Sequence, residues 1–343
     1  MFIAEYDGIN SFLTEISKVF LNSRVPRVVR GYHCWELQEP IMIKITNPRS
    51  RWVTIPIREW NFFLPYAESL WLALGHNDLK MIQHYLPKMA DFSDDGEYLR
   101  GGYGPRLRHF NGNRVDYRYS WNKKGIPYHR KVVDQYAYII DCFKKDKYTR
   151  QAIISIGDPP KDCFDKDGAL KRTKDFPCTQ SLQFITDSAS NKLNLIVSMR
   201  SNDFIWGASA VNIFNFTFIQ EYLAHILKLE IGSYFHIVNN FHYYERHEPL
   251  IHALATQTNI VDDSFQYQFK FNDLHEFDSL IQGLGAWEEN LRKKKTDKLA
   301  DFHDDFLNDW AKVFYFKRFK TKVDCSNPIL NSLMDAHLKK TIE

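Results

Sequence analysis

The sequence predicts an α+β domain over residues 1–271, followed by a charged helical extension over residues 272–343. Amphipathic segments with helical spacing occur in the first half of the chain, and two neighbouring segments near residue 190 alternate with the period of paired strands. The sequence beyond about residue 271 is rich in charged residues. With 44% hydrophobic and 25% charged residues, the chain has the composition of a folded globular protein.

The first half of the chain is predicted to contain helices, loops and one short strand. Three segments have apolar residues at helical spacing: 5–21, 62–74 and 132–144. The basic segment 24–30 and the segment 91–113, in which Gly, Asp and Asn cluster, lack that period and are predicted to be loops. Residues 152–156 are a short apolar run typical of a buried strand.

The second half begins with the pattern of a sheet. Residues 181–186 and 193–199 alternate between apolar and polar, which predicts two neighbouring antiparallel strands with one packed face. Residues 212–229 have helical spacing and are predicted to end as a helix at Ile231-Gly232. The aromatic and β-branched segment 233–244 predicts a further strand.

Composition also excludes several classes of protein. The formal net charge of +3 offers no overall attraction for nucleic acid or an anionic membrane, so we expect neither as a partner. No cysteine pair has C-x-x-C spacing, so neither a disulfide framework nor a metal site is predicted. The chain lacks the start of a signal peptide and an apolar run of the roughly 20 residues that span a bilayer, and we expect a cytoplasmic location.

Cys178 is the first candidate for chemistry. It precedes one of the two predicted strands, and Arg200 follows the other. If these strand ends meet, the guanidinium lowers the pKa of the thiol and makes a thiolate available near neutral pH. A buried, inert cysteine is the alternative interpretation of this position.

An ordered series of motifs runs over about Arg24 to His247. The motifs are Ala67-Glu68-Ser69-Leu70-Trp71-x-x-x-Gly75, Tyr103-Gly104, Arg150 before a strand, Pro177-Cys178, Gln183-Phe184, Arg200-Ser201-x-Asp203-x-x-x-Gly207, Asn212-Ile213, and Gly232 with His242-x-Tyr244-x-x-His247. In this order they resemble the signature of the thymidylate synthase family. The resemblance implies a mixed, mainly antiparallel sheet packed with helices. It also implies transfer of a one-carbon unit from 5,10-methylenetetrahydrofolate to C5 of a pyrimidine nucleotide, through a covalent bond from Cys178 to C6.

The resemblance assigns roles residue by residue. The residues implied in catalysis are Cys178, Glu68, Tyr103, Asn212, Asp203 and His242. Those implied to bind the phosphate or ribose are Arg30, Arg150, Arg200, Ser201 and Tyr244, with Arg150 contributed across a homodimer interface. Asn212 would read the base, and its amide suits uracil, hence dUMP. Asp203 and Phe92 would bind folate.

Several positions depart from the family's pattern. Thr179 stands where a histidine is usual, Gln151 where a second phosphate arginine is usual, and one extra residue lies between Gly207 and Asn212. Residues 89–104 contain no tryptophan, and the last residues, 339–343, lack the apolar end that covers folate in the typical synthase. A less shielded site admits water, so we expect 5-hydroxymethyl-dUMP as product ahead of thymidylate.

Two other functions fit parts of the sequence. A catalytically silent nucleotide- or RNA-binding relative would use the same pocket without turnover, although such a module has little need for Cys178 and Glu68. A cysteine hydrolase could pair Cys178 with His242, but the sequence shows no oxyanion motif and this pairing leaves the ordered arginines without a role.

Overall fold

The computed structural model describes residues 1–112, 114–118, 132–187 and 189–342. The strands are β1 (Phe2–Tyr6), β2 (Arg24–Val29), β3 (Tyr32–Leu37), β4 (Ile41–Ile45), β5 (Ile153–Ser155), β6 (Thr179–Asp187), β7 (Lys192–Met199), β8 (Asn202–Asp203), β9 (Glu230–Val238) and β10 (Phe241–Tyr244). The helices are α1 (Ile9–Ser23), α2 (Phe63–Ala73), α3 (Leu79–Tyr85), α4 (Tyr103–Arg108), α5 (Gln135–Lys145), α6 (Pro159–Asp162), α7 (Ile213–Ile226), α8 (Glu248–Ala255), α9 (Leu274–Arg292), α10 (Asp305–Phe319) and α11 (Pro328–Ile342).

Two sheets organise the strands. Within the described residues, the larger sheet has the order β1-β4-β9-β7-β6-β5 and the smaller has the order β2-β3-β10-β8. In the larger sheet β1 with β4 and β7 with β9 are parallel, and the remaining neighbours are antiparallel. The prediction of an α+β fold with a mixed, mainly antiparallel sheet is therefore confirmed.

The predicted antiparallel pair, β6 and β7, lies inside the larger sheet. Leu182 faces Val197 and Phe184 faces Leu195 in the register, and all four side chains are buried. Side chains of one parity along a strand share a face, so the alternation in the sequence corresponds to this packed face. The pair also brings the residues just before β6 next to those just after β7.

Helices α2 and α7 pack against each other behind the site. The rings of Tyr66 and Phe214 lie 5.1 Å apart, and the Ser69 hydroxyl donates to the Asn215 side chain at 2.8 Å. Every residue of α2 except Glu68 is buried. A helix that is apolar on all sides belongs in the core, so the single acidic side chain on α2 is placed in apolar surroundings.

A π-helix over Phe204–Asn212 precedes α7. It begins at Asp203, whose Oδ1 accepts hydrogen bonds from the backbone N–H groups of Ile205 and Trp206, both at 2.7 Å. A π-helical turn holds more residues than an α-helical turn. The wider turn therefore accommodates the extra residue between Gly207 and Asn212 and leaves Asn212 at the start of α7.

The C-terminal helices pack against α2 and α3. Trp310 Nε1 donates to the Tyr66 carbonyl at 2.8 Å, and Tyr85 donates to Glu288 at 2.8 Å. Arg292, the last residue of α9, pairs with Glu288 at 2.9 Å, and the lysines at 293–295 lie beyond the end of the helix. No helix in the described part of the chain is both long and apolar enough to cross a membrane.

Several predicted elements were wrong in their bounds or type. Residues 2–6 are strand β1, so the first helix begins at Ile9 and not at residue 5. The basic segment predicted as a loop is strand β2, and residues 233–244 are divided between β9 and β10. Helix α7 ends before Lys228, whose φ of 55° leaves the helix, so Ile231-Gly232 lies in β9.

The segment 91–113 was also more ordered than predicted. It contains helix α4, which begins at Tyr103, so this side chain projects from a helix and not from a loop. Asn113, at the end of that segment, lies outside the described residues.

Candidate active site

Cys178 and Arg200 meet where β6 begins and β7 has ended. Arg200 Nη2 lies 3.5 Å from the Cys178 sulfur, and the backbone N–H of Arg200 donates to the Cys178 carbonyl at 2.9 Å. The guanidinium also donates to the carbonyls of Phe176 and Pro177, both at 2.9 Å. The arginine is therefore held rigidly beside the sulfur, as the pairing of the strands predicts.

The prediction that Arg200 makes a Cys178 thiolate available near neutral pH was wrong. Burial raises the pKa of the Cys178 thiol, Arg200 opposes this shift, and the Asp175 carboxylate adds to it, so that the pKa lies above its usual value. The prediction considered Arg200 alone, whereas removal of the thiolate from water is the larger effect. The free protein therefore holds Cys178 mainly as a thiol near neutral pH.

Asp175 is a carboxyl group that the sequence reading missed. Its Oδ2 accepts a hydrogen bond from the backbone N–H of Gly101 at 2.7 Å. Burial raises the pKa of Asp175, and its charge raises the pKa values of Cys178 and Tyr103. Asp175 is thus a second titratable group next to the thiol, from the segment that leads into β6.

Tyr103 connects the cysteine to α7. The backbone N–H of Thr179 donates to the Tyr103 hydroxyl at 3.1 Å, and the Tyr103 ring stacks on Phe216 with centroids 6.4 Å apart. Burial raises the pKa of Tyr103, so the hydroxyl stays protonated. With its oxygen accepting from Thr179, the hydroxyl keeps its proton available for a further acceptor.

A hydrogen bond joins Glu68 on α2 to Asn215 on α7. Asn215 Nδ2 donates to Glu68 Oε2 at 2.9 Å, and Ser69 orients this amide by donating to its oxygen. Burial raises the pKa of Glu68 to about 7, and the hydrogen bond from Asn215 partly opposes the shift. A carboxyl with a pKa near neutrality can both give and take a proton, which suits acid–base work.

Asn212 is held by a side chain that the sequence reading did not consider. Asn202 Nδ2 donates to Asn212 Oδ1 at 2.8 Å. Gly207 lies against both amides, and a side chain at position 207 would collide with them. The Asn212 amide therefore has a fixed neighbour on its oxygen side.

Asp203 has one free carboxylate oxygen in buried surroundings. Its Oδ1 caps the π-helix, while Oδ2 is buried and has no hydrogen-bond partner in the described part of the structure. The ring of Trp206, on the first turn of the π-helix, lies 6.4 Å from that of Phe92, which is 41% exposed. An unpaired acceptor beside aromatic rings is a suitable site for a flat heterocycle with N–H donors.

His242, Tyr244 and Ser201 lie around the smaller sheet. The rings of His242 and Tyr244 meet edge to face at 5.6 Å, and His242 Nδ1 is buried without a hydrogen-bond partner among the described residues. In the register His242 lies beside Asp203. Within the described residues, the Ser201 hydroxyl makes only a long hydrogen bond of 3.4 Å to Asn240, so it stays available for a ligand.

The three arginines near residue 27 differ in their contacts. Arg24 pairs with Glu248 at 2.5 Å and stacks over Trp35, and Arg27 pairs with Glu36 at 3.3 Å. Arg30, in the turn between β2 and β3, is exposed and has no ion pair within the described ranges. Its charge acts to lower the pKa of Cys178, so the guanidinium lies near enough to influence the thiol.

Arg150 lies away from the cysteine in the same chain. Ile153 pairs with Gln183 in the antiparallel register of β5 and β6, and Gln183 Nε2 donates to the Arg150 carbonyl at 3.3 Å. Gln183 is five residues from Cys178, or roughly 16 Å at the usual rise of a strand. The Arg150 backbone therefore lies well along β6 from Cys178 of the same chain.

Some residues of the site were not identified from the sequence, because their patterns are weak. Asn215 is a polar residue among the aromatic residues of α7, and His236 interrupts an apolar strand. Such isolated polar residues in the core need partners, but the sequence does not identify them. Residues 89–104 contain no tryptophan, but Trp206, from a segment distant in the chain, places a tryptophan ring near Phe92.

Contacts through Tyr103 and α7 link the segment of the nucleophile Cys178 to the acid–base candidate Glu68. Cys178 can attack an electrophilic carbon, Glu68 can exchange protons, and Arg200 and Arg30 can attract an anion. The charge of Asp203 raises the pKa of Cys178, so this carboxylate acts on the same site. This arrangement fits covalent chemistry on a small anionic heterocycle.

Comparisons with known proteins agree with this arrangement. The sequence profile described as thymidylate synthase matches residues 47–280. The deoxyuridylate hydroxymethyltransferase of Bacillus phage SP01 is 35% identical over 215 residues, which cover 63% of this chain and 51% of that protein. The protein of the same name from Delftia phage PhiW-14 is 31% identical over 296 residues, covering 80% of this chain and 76% of its own length.

More distant relatives carry a different name. The thymidylate synthase of human herpesvirus 8 type P (isolate GK18) is 27% identical over 197 residues, which cover 53% of each chain. The chain spans about half the length of the SP01 relative and about three quarters of the PhiW-14 relative.

Proposed function

Because this chain belongs to the thymidylate synthase family, we propose that it transfers a one-carbon unit to C5 of dUMP and releases 5-hydroxymethyl-dUMP. The observation that carries the proposal is the contact of 3.5 Å between Cys178 and Arg200 beside Tyr103. The names of the two phage relatives support dUMP as the substrate and the hydroxymethyl group as the product.

The first step is addition of the Cys178 sulfur to C6 of the pyrimidine. Because burial raises the pKa of this thiol, the proton has to leave as the bond to carbon forms. Arg200 stabilises the developing thiolate through its Nη2, and the Asp175 carboxylate, whose pKa burial raises, is the neighbouring group that can take the thiol proton. Addition at C6 makes C5 a carbon nucleophile.

Glu68 and Tyr103 manage protons around the ring. With a pKa of about 7, Glu68 is present in both protonation states at neutral pH. It can therefore protonate an oxygen or nitrogen in one step and accept a proton in a later one. The Tyr103 hydroxyl, with Thr179 donating to its oxygen, can hydrogen-bond the base that removes the C5 proton.

The residues around Asp203 fit a bound folate. Asp203 Oδ2 is a buried acceptor without a partner among the described residues, which suits the N–H groups of a pterin, and the rings of Phe92 and Trp206 provide apolar contact. Methylenetetrahydrofolate, when bound, supplies a carbon at the oxidation level of formaldehyde. Asp203 would hold its ring, and Phe92 and Trp206 would orient it.

The exposure of Phe92 supports addition of water in the last chemical step. The Phe92 ring is 41% exposed, so water has access from this side of the site. An exocyclic methylene on C5 adds water where water is admitted, and it takes hydride where water is excluded. Addition of water followed by loss of Cys178 from C6 gives the hydroxymethyl product.

The phosphate site and the assembly belong to the same proposal. Arg30, Arg200 and Ser201 of one chain would bind the phosphate, and Tyr244 with His242 would bind the ribose. Arg150 would complete the phosphate site of a second copy in a homodimer, since within its own chain it lies remote from Cys178. A cytoplasmic location stays a prediction.

One assay tests the chemistry. Purified protein is incubated with methylenetetrahydrofolate and dUMP tritiated at C5, and tritium release, dihydrofolate formation and the mass of the nucleotide are measured. We expect tritium release and 5-hydroxymethyl-dUMP without dihydrofolate, and no release by Cys178→Ser. Formation of thymidylate together with dihydrofolate would show that the protein is a methylase and not a hydroxymethylase. Full retention of tritium at C5 would reject both activities.

A catalytically silent relative that binds nucleotide or RNA is the second candidate. The raised pKa of Cys178 favours it, because a thiol is a poor nucleophile. If Cys178→Ser binds dUMP as the unaltered protein does and neither releases tritium, this candidate replaces the enzyme.

A further inference from the structure

A line of buried polar groups runs from strand β9 to the amide that faces the base. The Tyr234 hydroxyl lies 2.8 Å from His236 Nδ1, and His236 Nε2 lies 2.9 Å from Asn202 Oδ1. Asn202 Nδ2 then donates to Asn212 Oδ1 at 2.8 Å. Tyr234 and His236 are fully buried and Asn202 is 4% exposed, so each of these groups depends on the next one for its hydrogen bond.

We propose that Asn202, His236 and Tyr234 are positioning residues that fix the orientation of the Asn212 amide and so make the site prefer uracil over cytosine. The inference rests on the proposed function, because it takes Asn212 as the residue that reads the pyrimidine. We refer to the four residues Tyr234, His236, Asn202 and Asn212 as the amide relay.

The relay has two self-consistent directions, and they expose opposite ends of Asn212. If each group donates toward Asn212, Asn202 Nδ2 meets Asn212 Oδ1, and Asn212 Nδ2 is left to donate to the base. If the imidazole carries its proton on Nδ1, every bond reverses, and Asn212 Oδ1 is left to accept from the base. The first direction suits the O4 carbonyl of uracil, and the second suits the N4 amino group of cytosine.

Tyr234 selects the first direction. Its hydroxyl has no other hydrogen-bond partner in the part of the chain that the structure describes, so its proton has only His236 Nδ1 to go to. In the reversed relay the hydroxyl would accept from Nδ1 and its own proton would be buried without an acceptor. The imidazole remains neutral, since burial lowers the pKa of His236 to about 3, and it therefore has one donor nitrogen only.

The intermediate residues transmit this choice. His236 with its proton on Nε2 donates to Asn202 Oδ1, which leaves the Asn202 amide group to face Asn212 Oδ1. A cytosine would require Asn212 to turn over, and two NH₂ groups would then face each other. Gly207 leaves no room for the amides to separate on its side, because they already fill the space where a side chain would lie.

Calorimetric titration of dUMP and dCMP tests the relay without requiring turnover. We expect the unaltered protein to bind dUMP more tightly than dCMP. In Asn202→Ala we expect the ratio of dUMP affinity to dCMP affinity to fall about tenfold, because dUMP binds more weakly and dCMP more tightly. Tyr234→Phe removes one buried oxygen, and we expect the ratio to fall in the same direction. Tyr136→Phe, which removes a buried hydroxyl on α5 outside the relay, is the matched control.

The outcomes separate a positioning role from a structural one. Equal losses for both nucleotides in Asn202→Ala and Tyr234→Phe would overturn the inference, as would an unaltered protein without preference for dUMP. If Asn202→Ala does not fold, the nearly isosteric Tyr234→Phe decides. If the protein binds dUMP selectively but releases no tritium, the proposed enzyme activity is rejected and the amide relay is retained. If it releases tritium but does not distinguish dUMP from dCMP, the activity is retained and the relay is rejected.

Discussion

Asn215 on α7 donates a hydrogen bond of 2.9 Å to the carboxylate of Glu68 on α2. The bond stabilises the charged form of a carboxyl whose pKa burial raises to about 7. The two helices thus set the protonation state of the acid–base group together, and the first two predictions concern this pair.

Replacing Glu68 by Gln should separate activity from stability. The folded pKa of about 7 lies above the ordinary 4.5, so between these values the folded protein holds a proton that the unfolded chain has lost. The stabilisation that Glu68 contributes is complete below pH 4.5 and is lost as the pH rises through about 7. We therefore expect Glu68→Gln to be more stable at pH 8 by roughly 1–3 kcal/mol, with equal stability near pH 4. Urea unfolding at both pH values measures this, and tritium release should fall by about 100-fold or more. Lower stability of the variant at pH 8 would contradict the assignment.

Replacing Asn215 by Ala should move the pH profile. Loss of the hydrogen bond raises the pKa of Glu68 further, so the limb of the rate profile that reports this group should shift to higher pH. Thr217→Val on the same helix is the control, because among the residues that the structure describes the Thr217 hydroxyl bonds only to carbonyls of its own helix. An unshifted limb in Asn215→Ala with a normal Thr217→Val profile would show that the bond does not tune Glu68.

The thiol of Cys178 should respond in opposite directions to its two charged neighbours. Asp175 raises and Arg200 lowers the pKa of Cys178, so Asp175→Asn should speed alkylation by iodoacetamide at pH 7.5 by about threefold or more, and Arg200→Met should slow it. The asparagine keeps an oxygen that can accept from Gly101. Peptide mass spectrometry follows Cys178, with exposed Cys163 as the internal reference. Equal rates in the two variants would indicate that burial alone controls the thiol.

The arginines of strand β2 and its turn should divide into structural and binding residues. Arg30→Asn should raise the KM for dUMP by about tenfold without a change in melting temperature, because this exposed arginine has no ion pair among the described residues. Asparagine suits the φ of 52° at this position. Arg24→Ala should instead lower the melting temperature, since Arg24 pairs with Glu248 and stacks on Trp35. The reverse pattern would assign the phosphate to Arg24.

Two inactive variants should restore activity when mixed. In a dimer of Cys178→Ser with Arg150→Ala, one site combines an intact Cys178 with an intact Arg150 from the partner. Random association after refolding together should recover about one quarter of the activity of the unaltered protein. No recovery, with mixed dimers demonstrated by native mass spectrometry, would place Arg150 outside the site.

Local patterns in the sequence predicted the sheet better than the chemistry. The alternation of Leu182 and Phe184 against Leu195 and Val197 predicted β6 and β7, because one packed face leaves a period of two. Strand β2 was missed, since its basic residues and Pro26 resemble a loop, and it forms only because β3 pairs with it. The π-helix was likewise hidden, as an inserted residue has no periodic signature.

The electrostatics of the site depended on burial that the sequence does not display. Arg200 was correctly expected beside Cys178, but the raised pKa of the thiol arises from desolvation and from Asp175. For Glu68 the apolar helix already indicated desolvation, so the direction of its shift agreed with expectation. Asn202 and His236 gain their significance only from contacts between distant segments, which one sequence cannot supply.

The wide turn at Phe204–Asn212 has a bearing on how such proteins diverge. A lineage that gains or loses one amino acid here needs only to exchange one type of helical turn for another, and Asn212, the residue that we propose reads the nucleobase, keeps its place. A change in the length of this segment therefore need not change the substrate. Alignments with gaps across the segment should match Asp203 and Asn212 and not the residues between them.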